Sequence, residues 1–580
     1  MIRILILTLA SIQSLQAVWL TYEEAVLNSP FKTASIGWTI PFPDEDAVLI
    51  RGKGDDWKKW FKVDLLGSDT TLFLDSLAFN WRGDDLFVEG LTISNSADKI
   101  LIRTDSKKIW RYSHISTYYV YDIAKKRLMP LTNNNKSLRN VKFSPDGQKI
   151  AYVRQDNNLY MYDFERDRER KLTTTGSETI SNGHFGWLYE EELTGYDGYR
   201  WSPNGESIAY WEENESMVPE FSMINELGQY PTIEKIRYPK AGETNPTLKI
   251  GIIRIKGAGR KWIEGASVDY DYLPWMEWVN EEKVAFIKMD RKQKNWDMYV
   301  ADRATGRSTK ILSESDPDGW LENHGQIRFL KDGKVVWISE NSGYKHIWMS
   351  KHSGSRSWSI TEGKWEVSSI VHIDENDDLI YFIGNKESVF EKRLYSVRYD
   401  GTEVKLITKE AGSHIVRITG SKNYFIDTFS SLTQPRTILL KELRTGKVIK
   451  TLGETDLAQY VDYEWSSPRI VHFPSLDSTT ILDGMLILPP NYTKGKKYPV
   501  IIHGYGMPGT QIVWNRWGST WDQFLAQQGY IVFSMDTRGM SGRGEDFKNL
   551  SYGDMSKYLT LDQVAGINYL VDSGYADVER

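Results

Sequence analysis

A short hairpin sequence occurs twice in the first half of the chain. Residues 143–152 read Phe-Ser-Pro-Asp-Gly-Gln-Lys-Ile-Ala-Tyr, and residues 201–210 read Trp-Ser-Pro-Asn-Gly-Glu-Ser-Ile-Ala-Tyr. In each copy proline presets the turn, and the following Asp-Gly or Asn-Gly pair supplies the positive φ angles that a tight hairpin needs. Weaker copies begin at Phe329 and at His372. The repeat therefore predicts a mainly β domain built from hairpins.

The spacing of these hairpins predicts how they assemble. Each copy is followed by a second hairpin, as at residues 160–168 and 394–401, and two successive hairpins make one four-stranded blade of a β-propeller. No long amphipathic helix interrupts the short strands before about residue 457. The two clear copies lie 58 residues apart, which exceeds the roughly 40–50 residues of regular propeller repeats. At least one blade therefore carries an insertion.

The last part of the chain has a different pattern. Apolar strand segments at residues 481–490, 498–506 and 530–536 alternate with helical segments at 521–529 and 561–570. Alternating strands and helices predict a largely parallel sheet that is covered by helices. This succession resembles the opening half of an α/β-hydrolase domain.

These patterns divide the chain into four parts: a signal peptide at 1–17, an N-terminal segment at 18–50, a β-propeller at 51–460 and the first part of an α/β-hydrolase domain at 461–580. The first part contains Arg3, an apolar run at 4–10 and the small residue Ala17, a pattern typical of a secretory signal peptide. An ordinary hydrophobic strand or helix is the alternative. The run is far shorter than the about 20 residues that span a bilayer, and no later segment supplies them, so we expect no transmembrane segment. The protein is expected to be exported, periplasmic or secreted.

Composition excludes several kinds of site. The chain has no cysteine, which excludes disulfides, zinc-thiolate sites and a thiol nucleophile within it. The formal net charge of −6 shows no excess of basic residues that would bind nucleic acid. We therefore expect no metal, no cofactor and no nucleic-acid partner. The 22 tryptophans leave open a carbohydrate-binding propeller, although core packing within the hairpins also accounts for them.

The predicted insertion contains three consecutive carboxylates, Glu190, Glu191 and Glu192. In an extended strand neighbouring side chains point to opposite faces, so adjacent glutamates can converge on one ligand only from a helical or turn backbone. Two convergent carboxylates suit a primary ammonium with three N–H donors, and the α-amino group of a peptide (pKa about 7.7–8.0) is largely charged at neutral pH. The run therefore predicts a site for a free N-terminus. The alternative is a solvated acidic surface loop.

Four segments of the chain carry a family resemblance, and they occur in the family's order. They are Trp-Arg-Tyr-Ser-His at 110–114, Trp-Leu-Tyr-Glu-Glu-Glu at 187–192, Ile-Arg-Tyr-Pro-Lys-Ala-Gly-Glu-Thr-Asn-Pro at 236–246 and His-Gly-Tyr-Gly-Met-Pro-Gly at 503–509. Together they resemble the dipeptidyl peptidase IV family, in the prolyl oligopeptidase clan of serine peptidases. The resemblance implies an eight-bladed propeller stacked on an α/β-hydrolase domain. It also implies removal of N-terminal dipeptides with proline or alanine second. Many animal members of the family carry disulfides, so the absence of cysteine indicates a bacterial source.

The resemblance also implies roles for individual residues. Glu191 and Glu192 match the paired glutamates that bind the substrate ammonium, whereas Glu190 matches a residue that is not a ligand. Arg111 matches an arginine that binds the carbonyl oxygen of the peptide's first residue. Tyr505 matches a tyrosine whose hydroxyl helps to stabilise the oxyanion. The alternatives are a surface arginine in an ion pair for Arg111 and a buried core tyrosine for Tyr505.

The catalytic triad is expected to lie outside these 580 residues. An α/β-hydrolase carries its nucleophile on a Gly-x-Ser-x-Gly turn, and no serine of the chain has that context. In the family this turn follows the segment that matches residues 575–580. We therefore expect a fragment of a serine dipeptidyl peptidase that binds peptides with a free N-terminus, is inactive alone and forms a homodimer, as the family often does. A catalytically inactive propeller that binds peptides or proteins is the alternative.

Overall fold

The computed structural model describes residues 18–257, 259–268, 271–322, 326–351 and 356–579. The expected signal peptide at 1–17 lies outside these residues. Most of the described residues that have regular secondary structure belong to short antiparallel strands, and the helices are few. The helices are α1 (Tyr22–Val26), α2 (Trp187–Leu193), α3 (Thr520–Gln527), α4 (Glu545–Asn549) and α5 (Met555–Asp572), with 3₁₀ turns at Gly54–Asp56, Ser76–Phe79 and Leu457–Tyr460.

The first four antiparallel sheets follow one another along the chain. The first consists of β1 (Thr39–Pro41), β2 (Ala47–Arg51), β3 (Trp60–Asp64) and β4 (Thr70–Leu74), and is followed by the small hairpin β5 (Asn80–Trp81) and β6 (Asp84–Asp85). The second consists of β7 (Gly90–Ile93), β8 (Lys99–Lys108), β9 (His114–Asp122) and β10 (Arg127–Pro130), and the third of β11 (Arg139–Phe143), β12 (Lys149–Val153), β13 (Leu159–Asp163) and β14 (Arg168–Lys171). The fourth consists of β15 (Ile180–Asn182), β16 (Tyr199–Trp201), β17 (Ser207–Asn214), β20 (Thr247–Arg254) and β21 (Arg260–Val268), with the separate hairpin β18 (Glu220–Asn225) and β19 (Thr232–Arg237) between β17 and β20.

Four further antiparallel sheets have the same consecutive strand order. The fifth consists of β22 (Tyr272–Trp278), β23 (Lys283–Met289), β24 (Asn295–Asp302) and β25 (Ser308–Ser315), and the sixth of β26 (Arg328–Phe329), β27 (Lys334–Ser339), β28 (His346–Lys351) and β29 (Ser357–Ser359). The seventh consists of β30 (Val367–Asp374), β31 (Leu379–Gly384), β32 (Arg393–Arg398) and β33 (Lys405–Leu406), and the eighth of β34 (Ser413–Ile418), β35 (Tyr424–Ser430), β36 (Thr437–Glu442) and β37 (Val448–Glu454).

Buried apolar side chains join neighbouring sheets around a ring. Leu49 of the first sheet packs with Ile100 of the second, and similar clusters join the later pairs. The ring closes where Val48 of the first sheet meets Leu440 of the eighth. Each sheet thus buries both faces against its neighbours, which is the arrangement of blades in a propeller. The predicted mainly β propeller of eight blades is confirmed.

The repeated hairpins lie where the sequence predicts them. The first clear copy forms the β11–β12 hairpin and the second forms β16–β17, with Gly147 and Gly205 at positive φ in the turns. The first sheet, however, begins at Thr39, ahead of the expected boundary at residue 51. Residues 42–46 form the β1–β2 turn, which the backbone N–H of Phe42 closes by donating a hydrogen bond to the carbonyl of Ala47 (3.1 Å).

The C-terminal part contains a separate, mixed sheet with the order β38 (Arg469–Pro474), β39 (Ile481–Ile487), β41 (Ile531–Asp536) and β40 (Val500–His503). Only β40 and β41 are parallel, while the other two pairings are antiparallel. The expectation of a largely parallel sheet is therefore wrong for the described residues, because β38 and β39 are joined by a short turn rather than by a helix. α5 packs on this sheet, and a parallel bridge joins Ala576 to Tyr498.

The propeller and the C-terminal part contact each other through buried polar bonds. Lys548 of α4 forms an ion pair with Glu340 of the sixth blade (Nζ to Oε2, 2.6 Å), and Asn549 donates a hydrogen bond to Asp316 (3.0 Å). The backbone N–H of Gly544 donates to Glu366 of the seventh blade (2.7 Å). Among the described residues, no helix combines the length and the apolar composition that crossing a bilayer requires.

Candidate functional site

The acidic run lies on α2, a short helix inserted between β15 and β16 of the fourth blade. Its backbone is helical, as the sequence predicts, and Thr194 ends it with a positive φ of 54°. Phe185 and Tyr189 anchor the helix, because their rings stack with centroids 5.1 Å apart and the Tyr189 hydroxyl accepts a hydrogen bond from the backbone N–H of Leu273 (3.1 Å). The aromatic residues around the run thus hold the carboxylates on the rigid propeller.

The three consecutive glutamates have three different environments. Glu190 is fully buried, and one of its oxygens accepts hydrogen bonds from the backbone N–H groups of Tyr112 (2.6 Å) and Ser113 (2.7 Å). Glu191 is partly exposed and Glu192 is exposed. Only the second and third carboxylates of the run are therefore open to a ligand, and their roles in binding stay predictions.

Arg111 and Glu191 form a multidentate ion pair. Arg111 Nε lies 3.1 Å and 3.0 Å from the two Glu191 carboxylate oxygens, and its Nη2 also contacts Oε1. The hydrogen bond and the opposite charge raise the pKa of Arg111 and lower that of Glu191. The arginine side chain is still 59% exposed. The ion pair therefore fixes the orientation of the guanidinium, and the exposed part of the group can still donate hydrogen bonds to a ligand.

Glu192 is the available carboxylate. Within the described part of the chain its side chain has no hydrogen bond and no ion pair. Although Glu192 is exposed, neighbouring protein atoms remove part of the water around its carboxylate, and this desolvation, followed by the negative charge of Glu191, raises the pKa of Glu192. A carboxylate in this state gains more from a cationic ligand than a fully solvated one, because an ammonium would relieve both effects.

Tyr505 follows β40 in the C-terminal part. Its side chain is 58% exposed, so it is not a buried core tyrosine. The Tyr505 phenol is the last of the causes that raise the pKa of Arg111, far behind the hydrogen bond to Glu191 and its charge. Tyr505 also lines a cavity of about 1070 Å³ between the eighth blade and the C-terminal part. The structure therefore brings Arg111 and Glu191 into contact, whereas the described residues that line the Tyr505 cavity include neither of them.

Two features around α2 were not recognised in the sequence. Tyr238, from the specific Tyr-Pro-Lys-Ala-Gly run, packs on Trp187 at the start of the helix with ring centroids 4.3 Å apart. Glu213 of β17 accepts a hydrogen bond from the N–H of Gly186 (2.6 Å), and burial, with the charge of Glu215, raises its pKa well above the usual value. Burial raises the pKa of Glu215 to about 7. The specificity of the run signalled Tyr238, whereas no local pattern signalled the acid pair.

One cluster outside this region has the residue types of a metal site. Ligand atoms of Glu410, His414 and Asp427 in the eighth blade lie within 4.8 Å of one another. However, Lys441 Nζ lies 2.9 Å from a carboxylate oxygen of Glu410 and 2.9 Å from one of Asp427. His414 Nδ1 is hydrogen-bonded to the other oxygen of Asp427 at 2.9 Å. The lysine ammonium takes the position of a cation, so these residues do not fit a metal ion.

Comparisons with known sequences cover both parts of the chain. Residues 94–436 match the family model of the dipeptidyl peptidase IV (DPP IV) N-terminal region, and residues 517–580 match that of the prolyl oligopeptidase family. The chain is similar to dipeptidyl peptidase 4 of Trichophyton equinum, with 28% identity over 590 residues that cover 97% of this chain and 74% of that protein. It is also similar to dipeptidyl peptidase 4 of Trichophyton rubrum, with 29% identity over 511 residues that cover 83% of this chain and 65% of that protein.

A solved structure shares the fold over nearly the whole chain. The crystal structure of Porphyromonas gingivalis dipeptidyl peptidase 4 superposes with a TM-score of 0.90 at 23% sequence identity. The match covers 97% of this chain and 80% of that one. This likeness supports the fold, which consists of the propeller and the mixed sheet beside it.

Proposed function

Because the chain belongs to the dipeptidyl peptidase IV family, we propose that it is the amine-binding part of a serine exopeptidase that releases N-terminal dipeptides from peptides. The second residue of the substrate is proposed to be proline or alanine. One observation carries the proposal: Glu192 offers an exposed carboxylate without a partner among the described residues, beside the Arg111–Glu191 ion pair. The proposed substrates are peptides with a free N-terminus.

Each residue has a proposed role that follows from its chemistry. Glu191 and Glu192 bind the substrate ammonium, Arg111 donates to the carbonyl oxygen of the first residue, and Tyr505 donates to the oxyanion. An internal peptide bond has no ammonium, so binding it would leave both carboxylates desolvated and unpaired. This penalty supports selection of the N-terminus over internal sites.

Hydrolysis is proposed to need groups that these 580 residues do not supply. No serine of the chain stands in a Gly-x-Ser-x-Gly turn, so we propose that the nucleophile, its histidine and its aspartate are contributed from outside them. The chain alone should bind a dipeptide without cleaving it. We further propose that residues 39–460 form the propeller unit and that residues 461–580 belong to the hydrolase unit.

Calorimetric titration with alanyl-proline tests this function. The purified chain should bind the dipeptide with a free amine, and should bind N-acetyl-alanyl-proline at least about tenfold more weakly, because acetylation removes a charge-assisted interaction. A chromogenic dipeptide substrate should give no product with the chain alone. Equal affinity for the free and the acetylated dipeptide would rule out an amine site.

The affinity for alanyl-proline should also depend on pH in a defined way. The pKa of Glu192 is raised, so this carboxylate takes up a proton at a higher pH than an ordinary glutamate (about 4.3) as the solution is acidified, and affinity falls there. Above about pH 8 the ligand amine loses its charge and affinity falls again. In Glu192→Gln the acid-side decrease should move to lower pH, because the remaining Glu191 has a lowered pKa. Calorimetric titrations across this pH range measure both decreases in affinity. An unchanged decrease at low pH in Glu192→Gln would contradict the role of Glu192 in binding the amine.

We propose a homodimer that forms through the β18–β19 hairpin. The hairpin is a two-stranded sheet of its own, outside the eight blades. It carries six exposed apolar side chains: Phe221, Met223, Ile224, Leu227, Tyr230 and Ile233. Exposed apolar groups concentrated on one element are typical of an interaction surface, and a second copy with the same surface can cover them isologously.

Charged substitutions on this hairpin should dissociate the dimer. We expect Ile224→Glu combined with Leu227→Glu to reduce the mass measured by light scattering from that of two chains to that of one, because the dimer would bury unpaired charges. Leu72→Glu, at an exposed apolar position of β4, is the matched control and should leave the dimer intact. A wild-type chain of monomer mass would refute the proposal.

Export is a further proposal for this protein. Arg3 followed by the apolar run at 4–10 supports a signal peptide, and hence a periplasmic or secreted location in a bacterial source. N-terminal sequencing of the mature protein should begin at residue 18. A mature N-terminus at Met1 would contradict it.

A further inference from the structure

The loop that carries Arg111 is held mainly by contacts with another element, α2. It connects β8 to β9, and within it the backbone N–H of Ile109 donates to the carbonyl of Ser113 (3.0 Å). The next two anchors come from α2: Glu190 binds the backbone of Tyr112 and Ser113, and Glu191 binds the Arg111 guanidinium. Two consecutive residues of one helix therefore hold one loop by its backbone and by its functional side chain.

Glu190 is an unusual residue for a purely structural position. It is fully buried, and its second carboxylate oxygen has no hydrogen-bond partner among the described residues. Burial lowers the pKa of Arg139, and the charge of Glu190 opposes that decrease; the same charge also acts to raise the pKa of His114, which burial lowers. A buried carboxylate is unfavourable unless strong hydrogen bonds compensate for its desolvation. The two short bonds to Tyr112 and Ser113 are such bonds, so the carboxylate and the loop stabilise each other.

The proposed substrate makes strict demands on this geometry. Its ammonium and the carbonyl oxygen of its first residue are attached to the same Cα, so covalent geometry limits the distance between them. The protein groups that bind them must be held to within about 0.5 Å to act together. Glu192 is on α2 and Arg111 is on a loop whose sequence position is far from the helix. Some contact must therefore set the distance between the two elements.

We propose that Glu190 is the positioning residue of this site. It ties the backbone of the Arg111 loop to α2, so that the amine-binding carboxylates and the carbonyl-binding arginine keep one separation. Glu190 does not touch the ligand and acts through Arg111. The inference rests on the proposed function, because it concerns the same dipeptide site.

The test compares two substitutions at residue 190 by two measurements. Glu190→Gln keeps a carbonyl oxygen that can accept both backbone N–H groups, so its affinity for alanyl-proline should remain within about threefold of the wild type. Glu190→Ala removes the acceptor, and its affinity should fall by about ten- to a hundredfold. Hydrogen–deuterium exchange of the Tyr112 and Ser113 amides should be fast in Glu190→Ala and slow in the wild type and in Glu190→Gln.

Two control variants separate positioning from general destabilisation. Asp163→Ala removes another buried carboxylate that accepts two backbone N–H bonds, from Glu165 and Arg166 between β13 and β14, and should leave dipeptide affinity unchanged. Arg111→Ala should lose affinity while the Tyr112 and Ser113 amides stay protected. If Glu190→Ala does not fold, Glu190→Leu fills the volume without an acceptor and serves the same comparison.

The outcomes distinguish this inference from the proposed function. Wild-type affinity in Glu190→Ala, or unchanged amide exchange in that variant, overturns the positioning role and leaves the amine site intact. Equal loss of affinity in Glu190→Gln and Glu190→Ala also overturns it, because a retained acceptor would then be irrelevant. Absence of dipeptide binding by the wild-type chain overturns the proposed function itself, and the positioning role with it.

Discussion

Replacing Glu192 by alanine is expected to weaken the binding of alanyl-proline by about ten- to a hundredfold, because a hydrogen bond to a charged group contributes roughly 1.5–3 kcal/mol. The loss should be specific for the amine. N-Acetyl-alanyl-proline has no ammonium to pair with the carboxylate, so its weak binding should not change. Calorimetric titration of both ligands with both proteins measures the difference, and a control substitution at the exposed Glu206 should have no effect.

The neighbouring carboxylate should behave differently from Glu192 in a double-mutant cycle. Glu191 binds Arg111, so Glu191→Ala removes a proposed ligand of the ammonium and also frees the arginine. The losses from Glu191→Ala and Arg111→Ala should therefore not be additive, whereas those from Glu192→Ala and Arg111→Ala should be closer to additive. A change of less than twofold in Glu192→Ala would exclude this residue from the amine site.

The second large effect is expected on stability, at a buried ion pair of the C-terminal part. Arg538 and Asp562 of α5 are both buried, and Asp562 accepts hydrogen bonds from the arginine Nη2 (2.7 Å), from its Nε (3.1 Å) and from its backbone N–H (2.8 Å). Asp562→Ala leaves the guanidinium buried with only the exposed Asp477 as an acidic partner. We expect a loss of about 3–5 kcal/mol in the unfolding free energy of this part, because one charge remains desolvated.

Urea denaturation followed by circular dichroism measures this loss. The transition of the C-terminal part should move to lower urea, while the propeller transition should stay in place. Asp477→Ala removes the exposed partner and should have a smaller effect. A double variant, Arg538→Met with Asp562→Leu, removes both charges and should recover much of the stability. If Asp562→Ala is as stable as the wild type, the ion pair contributes nothing and this reasoning is wrong.

Much of the fold could be predicted because its signals are local. The Ser-Pro-Asp-Gly and Ser-Pro-Asn-Gly turns specify their hairpins through the backbone preferences of proline and glycine, and those hairpins are where the sequence predicts them. The predicted boundary at residue 51 cuts through the first blade, because β1, which begins at Thr39, pairs with β2. The predicted parallel sheet was wrong because a short turn makes β38 and β39 antiparallel, and because β39 pairs antiparallel with β41, a strand distant in sequence.

The candidate site also has features that local sequence predicts and features that depend on contacts between distant segments. The sequence by itself determined that three adjacent glutamates lie on an insertion and predicted a helical or turn backbone for them, because neighbouring carboxylates converge only from such a backbone. Successive residues of a helix point in directions about 100° apart, so at most two of the three can face one ligand. Which two they are depends on the contacts of Tyr112 and Arg111, some eighty positions earlier in the chain. Only the tertiary structure decided that Glu190 turns inward to the loop and that Glu192 remains open, because the closed ring of blades sets where that loop meets the helix.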